Sequence, residues 1–334
     1  MSTDKEKLPL VSIIIPTYNS SEYIVETLES VKTQTYPDIE LIVTDDCSGD
    51  NTVEICSKWL LENKARFVRA ELIASQVNTG IAPNNNRGIS IAEGEWIKVI
   101  SGDDILMKEC IKTNIEFIRN SDVEVSFLFS RLVWFKVNSS NRKLTNSDEA
   151  VVNRYWQNMY ESFFCLKAKQ QYIKLLKRNR LPAPTAFINR KTFLSLGGFD
   201  ERFPMIDDYP LWLRATKNNY KLYFTDNETV LYRKHDHAVS NSVNINLRYL
   251  KDSYRIYKAM RINRYTIPDI FFHLSVNVDY INLLTRRKFG KKTILNYMLQ
   301  LLDPHYLRSR FSSRYKEENE SLLNGIFTEN QKFN

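Results

Sequence analysis

Glu95-Trp96-Ile97-Lys98-Val99-Ile100-Ser101-Gly102-Asp103-Asp104 joins an apolar-rich run to two adjacent carboxylates. The run reads as a buried strand. Gly102 lets the backbone turn sharply after it. Open α/β sheets bind ligands just beyond the carboxyl ends of their strands, where Asp103 and Asp104 fall. Paired carboxylates there can hold a divalent cation shared with phosphates. A solvated turn is the other reading, since Asp and Gly are ordinary turn residues.

The neighbouring segments repeat the pattern. Leu10-Val11-Ser12-Ile13-Ile14-Ile15 is a β-branched strand stopped by Pro16, and Thr17-Tyr18-Asn19 follows as a tight loop. Ser20 or Ser21 is placed to cap a helix with an apolar stripe of Ile24, Leu28 and Val31. Ile39 to Val43 is the next strand, ending at Asp45-Asp46, and a helix is expected from Thr52 to Asn63. Phe67 to Ile73 is a third strand, and Gly80 to Gly94 a loop and helix. This β-α alternation specifies a mostly parallel sheet with right-handed crossovers. Parallel strands bring Pro16 to Asn19, Asp45-Asp46 and Asp103-Asp104 to one edge, where carboxylates can accept hydrogen bonds from a base and a ribose. Neither a G-x-G-x-x-G fingerprint nor a Walker A sequence is present.

The motifs VSIIIPTYNSSEYI, ELIVTDDCSGDNT, NTGIAPNNNRGISIAEGEWIKVISGDD, LGGFDERFPMIDDYPLWLRA and YRKHDHAVS stand in this order. Together, over roughly residues 10–240, they resemble the family-two glycosyltransferases, inverting enzymes of the GT-A fold. The resemblance implies an α/β fold: a Rossmann-like, mostly parallel central sheet flanked by helices, with a helical C-terminal extension. It divides the chain into a nucleotide-sugar glycosyltransferase domain (1–240) and a basic extension (241–334).

By the same resemblance Pro16, Tyr18 and Asn19 line the nucleotide-sugar pocket, Asp46 faces the base and Asp45 supports that loop. Asp103 meets the ribose, directly or through water. Asp104 holds the metal, Mn²⁺ or Mg²⁺, with His235 as a further anchor. Helix capping is the alternative role for Asp45 and Asp46. Asn78 and Gly80 match a family loop. The family commonly has Arg then Asn near position 85, whereas this chain has Asn85, Asn86 and then Arg87. Arg87 is therefore either a base- or phosphate-facing residue or a plain surface arginine. Asp208 is implied as the general base that takes the acceptor hydroxyl proton. Where the family usually has Glu, this chain has Asp207, one methylene shorter, so either carboxylate of the pair could reach substrate. Arg233 or Lys234 is placed to neutralise diphosphate charge.

Other stretches are less informative. Lys136 to Ala150 reads as a loop, and Phe163 to Arg178 as one amphipathic helix with a basic face. Thr185 follows Pro182-Ala183-Pro184 either as a buried turn residue or as part of the sugar pocket. Pro210 fits the first turn of a helix.

At 334 residues, with 43% hydrophobic content, the chain can bury a substantial core. Cys47, Cys56, Cys110 and Cys165 show no metal-site spacing and are expected as free thiols in a reducing compartment. No run reaches ~18 uninterrupted apolar residues, and the first ten residues lack a signal-peptide core. A cytoplasmic protein is expected, peripheral at most to the inner membrane face. Residues 241–334 hold 16 Lys+Arg against 8 Asp+Glu, which accounts for the whole formal charge of +8. Arg286-Arg287-Lys288, Lys291-Lys292 and the stripe Ile294, Met298, Leu301, Leu302 suit contact with anionic membrane, a lid or a homodimer. No nucleic-acid-reading module accompanies this charge. The expected partners are a nucleotide-sugar donor and a glycan or glycolipid acceptor. A sugar-phosphate nucleotidyltransferase would need a Gly-rich basic loop where PTYNSSEY stands.

Overall fold

The computed structural model describes residues 8–138, 141–144, 155–177, 179, 181–235, 247–261 and 281. The chain forms two compact units, Met1–Thr145 with Asn158–Asn244, and Asn146–Gln157 with Ile245–Asn334.

The larger unit opens with β1 (Val11–Thr17), α1 (Ile24–Lys32), β2 (Ile39–Asp45), α2 (Thr52–Asn63), β3 (Arg69–Ala74), α3 (Ile81–Ser90) and β4 (Trp96–Val99). It continues through β5 (Ile105–Leu106), α4 (Cys110–Arg119), β6 (Phe127–Asn138), β7 (Asn141–Leu144), α5 (Ala168–Lys177) and β8 (Phe187–Asn189). The last elements are α6 (Arg190–Ser195), α7 (Asp208–Lys217) and β9 (Leu222–Arg233). Strands run in the order β3-β2-β1-β4-β8-β6-β9-β5, with β7 beside β6. The first four are mutually parallel, as are β6 and β9, while β8, β5 and β7 pair antiparallel.

Burial explains the apolar runs. Ile13, Ile14 and Ile15 are all fully buried, and so are Leu41, Ile42 and Val43. Successive side chains point to opposite faces, so both faces of this half of the sheet are covered. On one face α3 lies close enough that a Cβ on Gly88 would stand 2.7 Å from Ile14 Cγ2. Lys98 is the exception inside a buried strand. Its ammonium is buried and donates to Pro184 O at 2.6 Å, which ties β4 to the 183–185 turn. Thr185 is buried, with its hydroxyl donating to Pro182 O at 2.8 Å, and so behaves as a turn residue.

Three expectations are corrected. First, α1 begins after Tyr23, and neither Ser20 nor Ser21 caps it through a side chain. Their amides are instead held by Thr52 Oγ1 and Asp50 Oδ2 at 2.8 and 3.1 Å, binding the first loop to the start of α2. Second, the polar stretch after Lys136 is partly hairpin, because β7 pairs with the end of β6; residues 145–150 lie outside the described residues. Third, Phe163–Arg178 is not one helix. A π-helical turn, Tyr160–Phe164, precedes α5, and Gln171 bonds Leu222 through both main-chain groups.

In the second unit α8 (Leu247–Arg261) carries Arg248, Lys251 and Arg255 on its exposed side. The basic clusters after residue 285 lie outside the described residues, as does His237. Among the described residues no helix is long and apolar enough to cross a membrane. All four cysteines are free.

Candidate active site

The parallel strands β1, β2 and β4 end together, and their following loops interlock. Asp46 N donates to Thr17 O at 3.0 Å, and Gly102 N donates to Pro16 O at 3.2 Å. Pro16, Tyr18, Asn19, Asp45, Asp46, Asp103 and Asp104 therefore share one edge of the sheet, as the strand-end argument expects.

Within this edge the residues do different things. Asn19 takes a left-handed backbone (φ 50°), its Oδ1 accepting from Gly49 N and its own N–H donating to Ser48 Oγ, both at 2.8 Å. The Tyr18 ring, left half exposed at 53%, is free to meet a planar group. Asp45 is buried and accepts from Thr17 Oγ1 at 2.9 Å and Ser48 N at 2.8 Å, a loop brace. Asp46 is buried too, accepting from Thr79 N at 3.0 Å, Thr79 Oγ1 at 2.7 Å and Gly80 N at 2.7 Å. Neither caps α2. Asp50 accepts from Thr52 N, the first residue of α2, at 3.0 Å. Asn78 Nδ2 donates to Asp46 O at 3.2 Å. Arg87 closes the group, donating to Thr79 Oγ1 at 3.0 Å and Asn84 Oδ1 at 2.7 Å, with Asp46 at 3.6 Å.

Gly80 is required here. Its φ of +104° suits glycine, and an added Cβ would meet Pro204 Cβ at 2.7 Å and Pro204 O at 2.8 Å. Gly80→Ala should destabilise the larger unit by on the order of 3 kcal/mol, read as a lowered denaturation midpoint. A midpoint unchanged from wild type would mean the loop relaxes without cost.

The two carboxylates after β4 face opposite ways. Asp104 is 1% exposed, and its Oδ1 accepts from Arg233 N at 2.9 Å. Its Oδ2 is buried without a hydrogen-bond partner among the described residues. Burial first, and then the Asp103 charge, push its carboxyl well above the ordinary range. Asp103 turns outward, with Oδ2 2.9 Å from His235 Nε2. The histidine ring lies tilted against Tyr23, with centroids 4.8 Å apart. Asp103 thus stands beside His235, and Asp104 lies beneath it in the fold. The turn at Gly102-Asp103-Asp104 sends the second carboxylate into the fold, toward the backbone of β9.

An outward carboxylate and an imidazole converging on one point fit a hard divalent cation of the Mn²⁺ or Mg²⁺ kind. Among the described residues no cluster of three or more such side chains forms. Diphosphate and water would therefore complete the coordination, as is usual for cations bound with nucleotides.

Arg233 is not available for a diphosphate, which corrects another expectation. Its buried guanidinium donates to Asp103 O at 2.7 Å and Glu26 Oε2 at 2.9 Å. It lies over the rings of Tyr23 and Phe135 at 4.7 and 4.6 Å. It is a strut beneath the turn that carries Asp103. Burial pushes the neighbouring Lys234 ammonium below its ordinary range.

The second pair of carboxylates sits at the start of α7. Asp207 is the N-cap residue and Asp208 lies in the first turn, with Pro210 following as expected. Asp208 Oδ2 accepts from Asn179 Nδ2 at 2.9 Å and Trp212 Nε1 at 3.3 Å. Asp207 Oδ2 accepts from Asn85 Nδ2 at 2.8 Å. Desolvation raises both, and the Asp208 charge adds to the lift on Asp207, which reaches about 7. Through Asn85, α3 links this pair to the strand-end loops, because Asn84 and Arg87 of the same helix hold Thr44 and Thr79. Sequence reading did not find Asn179, Trp212, Tyr23 or the role of Asn85. Only Asn85 carried a signal, its departure from the family pattern.

Residues 12–191 match the family model Glycosyl transferase family 2. Glycosyltransferase GlyG of Streptococcus pneumoniae serotype 4 is 35% identical over 116 residues, 35% of this chain and 37% of that one. UDP-Glc:alpha-D-GlcNAc-diphosphoundecaprenol beta-1,3-glucosyltransferase WfaP of Escherichia coli is 28% identical over 235 residues, 70% of this chain and 80% of WfaP. The chain thus spans between about a third and four fifths of these two relatives. The crystal structure of S. aureus TarS 1-349 in complex with UDP-GlcNAc superposes with a TM-score of 0.57 at 19% identity, covering 95% of this chain and 92% of that one. The shared architecture is the GT-A fold.

Proposed function

Because the chain belongs to glycosyl transferase family 2, we propose that it is an inverting, non-processive glycosyltransferase. It takes a sugar from a nucleotide-diphosphate donor, a UDP-sugar, and places it on a hydroxyl of a glycan acceptor in bacterial surface polysaccharide assembly. One observation carries this reading. Asp103 with His235, Asp46 with the Thr79–Gly80 loop, and Asp207-Asp208 all belong to the rim joined through α3 and the ends of β1, β2 and β4. The UDP-glucose named for WfaP and the UDP-GlcNAc held by TarS support the choice of nucleotide.

In the proposed mechanism, residues 1–240 form the catalytic domain. Tyr18 stacks on the base, and the Asp46 loop and Arg87 frame its edge. Asp103 and His235 would hold Mn²⁺ or Mg²⁺, while Asp104 and Arg233 fix the turn that carries Asp103. When bound, the cation neutralises the charge that gathers on the departing diphosphate. Asp208 accepts the acceptor hydroxyl proton as that oxygen bonds the anomeric carbon and the carbon–diphosphate bond breaks. A single in-line displacement inverts the anomeric carbon, so an α-linked donor gives a β-linked product. The diphosphoundecaprenol acceptor of WfaP and the basic residues of 241–334 together support a lipid-diphosphate-linked acceptor at an anionic membrane face.

The test is a thermal-shift screen of nucleotide sugars with and without Mn²⁺. A UDP-sugar at 100 times its dissociation constant stabilises by about 2.7 kcal/mol, and chelation should abolish the shift. No shift with any nucleotide sugar would sink the reading.

A further inference from the structure

We propose that Asn85 is a positioning residue for the Asp207–Asp208 pair: its amide can bond Asp207 in either protonation state, so the pair works with a single negative charge, held on Asp208. The proposal rests on the reading of Asp208 as general base.

The two carboxyls are held unequally. Asp208 receives two donors, Asn179 Nδ2 at 2.9 Å and Trp212 Nε1 at 3.3 Å, and lies in the first turn of α7. The two donors favour its charged form, while the positive helix end acts on Asp207 and Asp208 alike. Asp207 receives one side-chain donor, Asn85 Nδ2 at 2.8 Å. Asn85 is 1% exposed, and its Oδ1 has no hydrogen-bond partner among the described residues. An amide carries a donor and an acceptor on one planar group. A half-turn of that group would offer Oδ1 to a protonated Asp207. An arginine, which only donates, could pair only with the ionised form.

The surroundings supply no countercharge among the described residues. From α7 the group facing Asp207 is Asp208; from α3 it is the neutral Asn85; against Asp208 stand the neutral Asn179 and Trp212. Arg178 and Arg180 flank Asn179 but lie outside the described residues. Two adjacent part-buried carboxylates, with no cation beside them among the described residues, keep one proton between them. In turnover the acceptor hydroxyl proton passes to Asp208, the pair becomes neutral, and that proton then leaves to solvent.

The sign of the stability effect follows from proton binding. Asp207 is pushed to about 7 in the fold, from an ordinary value of 3.8. Between these values the folded protein keeps a proton that the unfolded chain has released. Stability therefore falls as pH rises through this window. Asp207→Asn cannot titrate and should escape that fall. Its melting temperature relative to wild type should rise by about 3 °C or more from pH 5 to pH 8. Asn85→Arg, or Asn85→Arg with Asp207→Glu if the single variant does not fold, supplies the missing charge. That variant should lose the wild-type pH slope. Parallel melting curves for wild type and Asp207→Asn overturn the proposal. So does a widening gap produced by Asp208→Asn instead, because the proton would then sit on Asp208. These melts use no sugar nucleotide, so their failure leaves the glycosyltransferase reading standing, and failure of donor binding leaves them unaffected.

Discussion

Asp208→Asn is expected to keep donor binding while slowing transfer by about 10³-fold, within the range for removal of a general base. The substitution keeps the shape of the side chain and an oxygen for the Trp212 indole. It removes the negative charge and with it the capacity to take a proton. The loss should therefore fall on kcat and leave the donor dissociation constant within a few-fold, measured by calorimetry with UDP-sugar and Mn²⁺. Transfer surviving within a few-fold of wild type would move the base elsewhere, with Asp207 the first alternative. The melting temperature, followed in parallel, separates a chemical defect from misfolding.

Asp103→Asn should have the second largest effect, weakening Mn²⁺-dependent donor binding by about 100-fold or more. Among the described residues the carboxylate is one of two groups converging on the proposed cation position, and an amide is a poor substitute for a charged ligand there. Asp104→Asn supplies the contrast. Its Oδ1 accepts from a backbone N–H, which an amide oxygen can also do, and it faces into the fold. Donor binding should fall far less in Asp104→Asn than in Asp103→Asn. The reverse order would return the cation to Asp104 and make the outward turn of Asp103 incidental.

That contrast marks where the sequence stops being readable. The first half of the sheet was legible because β1, β2 and β4 are apolar-rich runs, each ending in a polar cluster. Parallel connections then force those clusters to one edge. The choice between Asp103 and Asp104 was not legible. It depends on the phase of a three-residue turn, and either phase satisfies the same letters. Ser20 and Ser21 misled because serine before an apolar stripe is a cap signal, yet their amides were already claimed by Asp50 and Thr52 of a later helix. The β6–β7 hairpin hid inside polar residues, since its strands pair through backbone groups whatever side chains they carry. Arg233 looked like a phosphate ligand by charge alone. Its packing between Tyr23 and Phe135 is a tertiary fact. Asn179 lies in a segment without motifs, so nothing in its neighbours announced that it would reach Asp208.

Anomalous scattering at the manganese edge, from crystals grown with UDP and Mn²⁺, tests most directly whether this crevice grips a nucleotide diphosphate through a cation. The strongest peak should lie within coordination distance of Asp103 and His235, against the diphosphate, with the open side of the site toward Asp208. Manganese bound elsewhere, or UDP ordered with no peak between its phosphates and Asp103, would contradict the account.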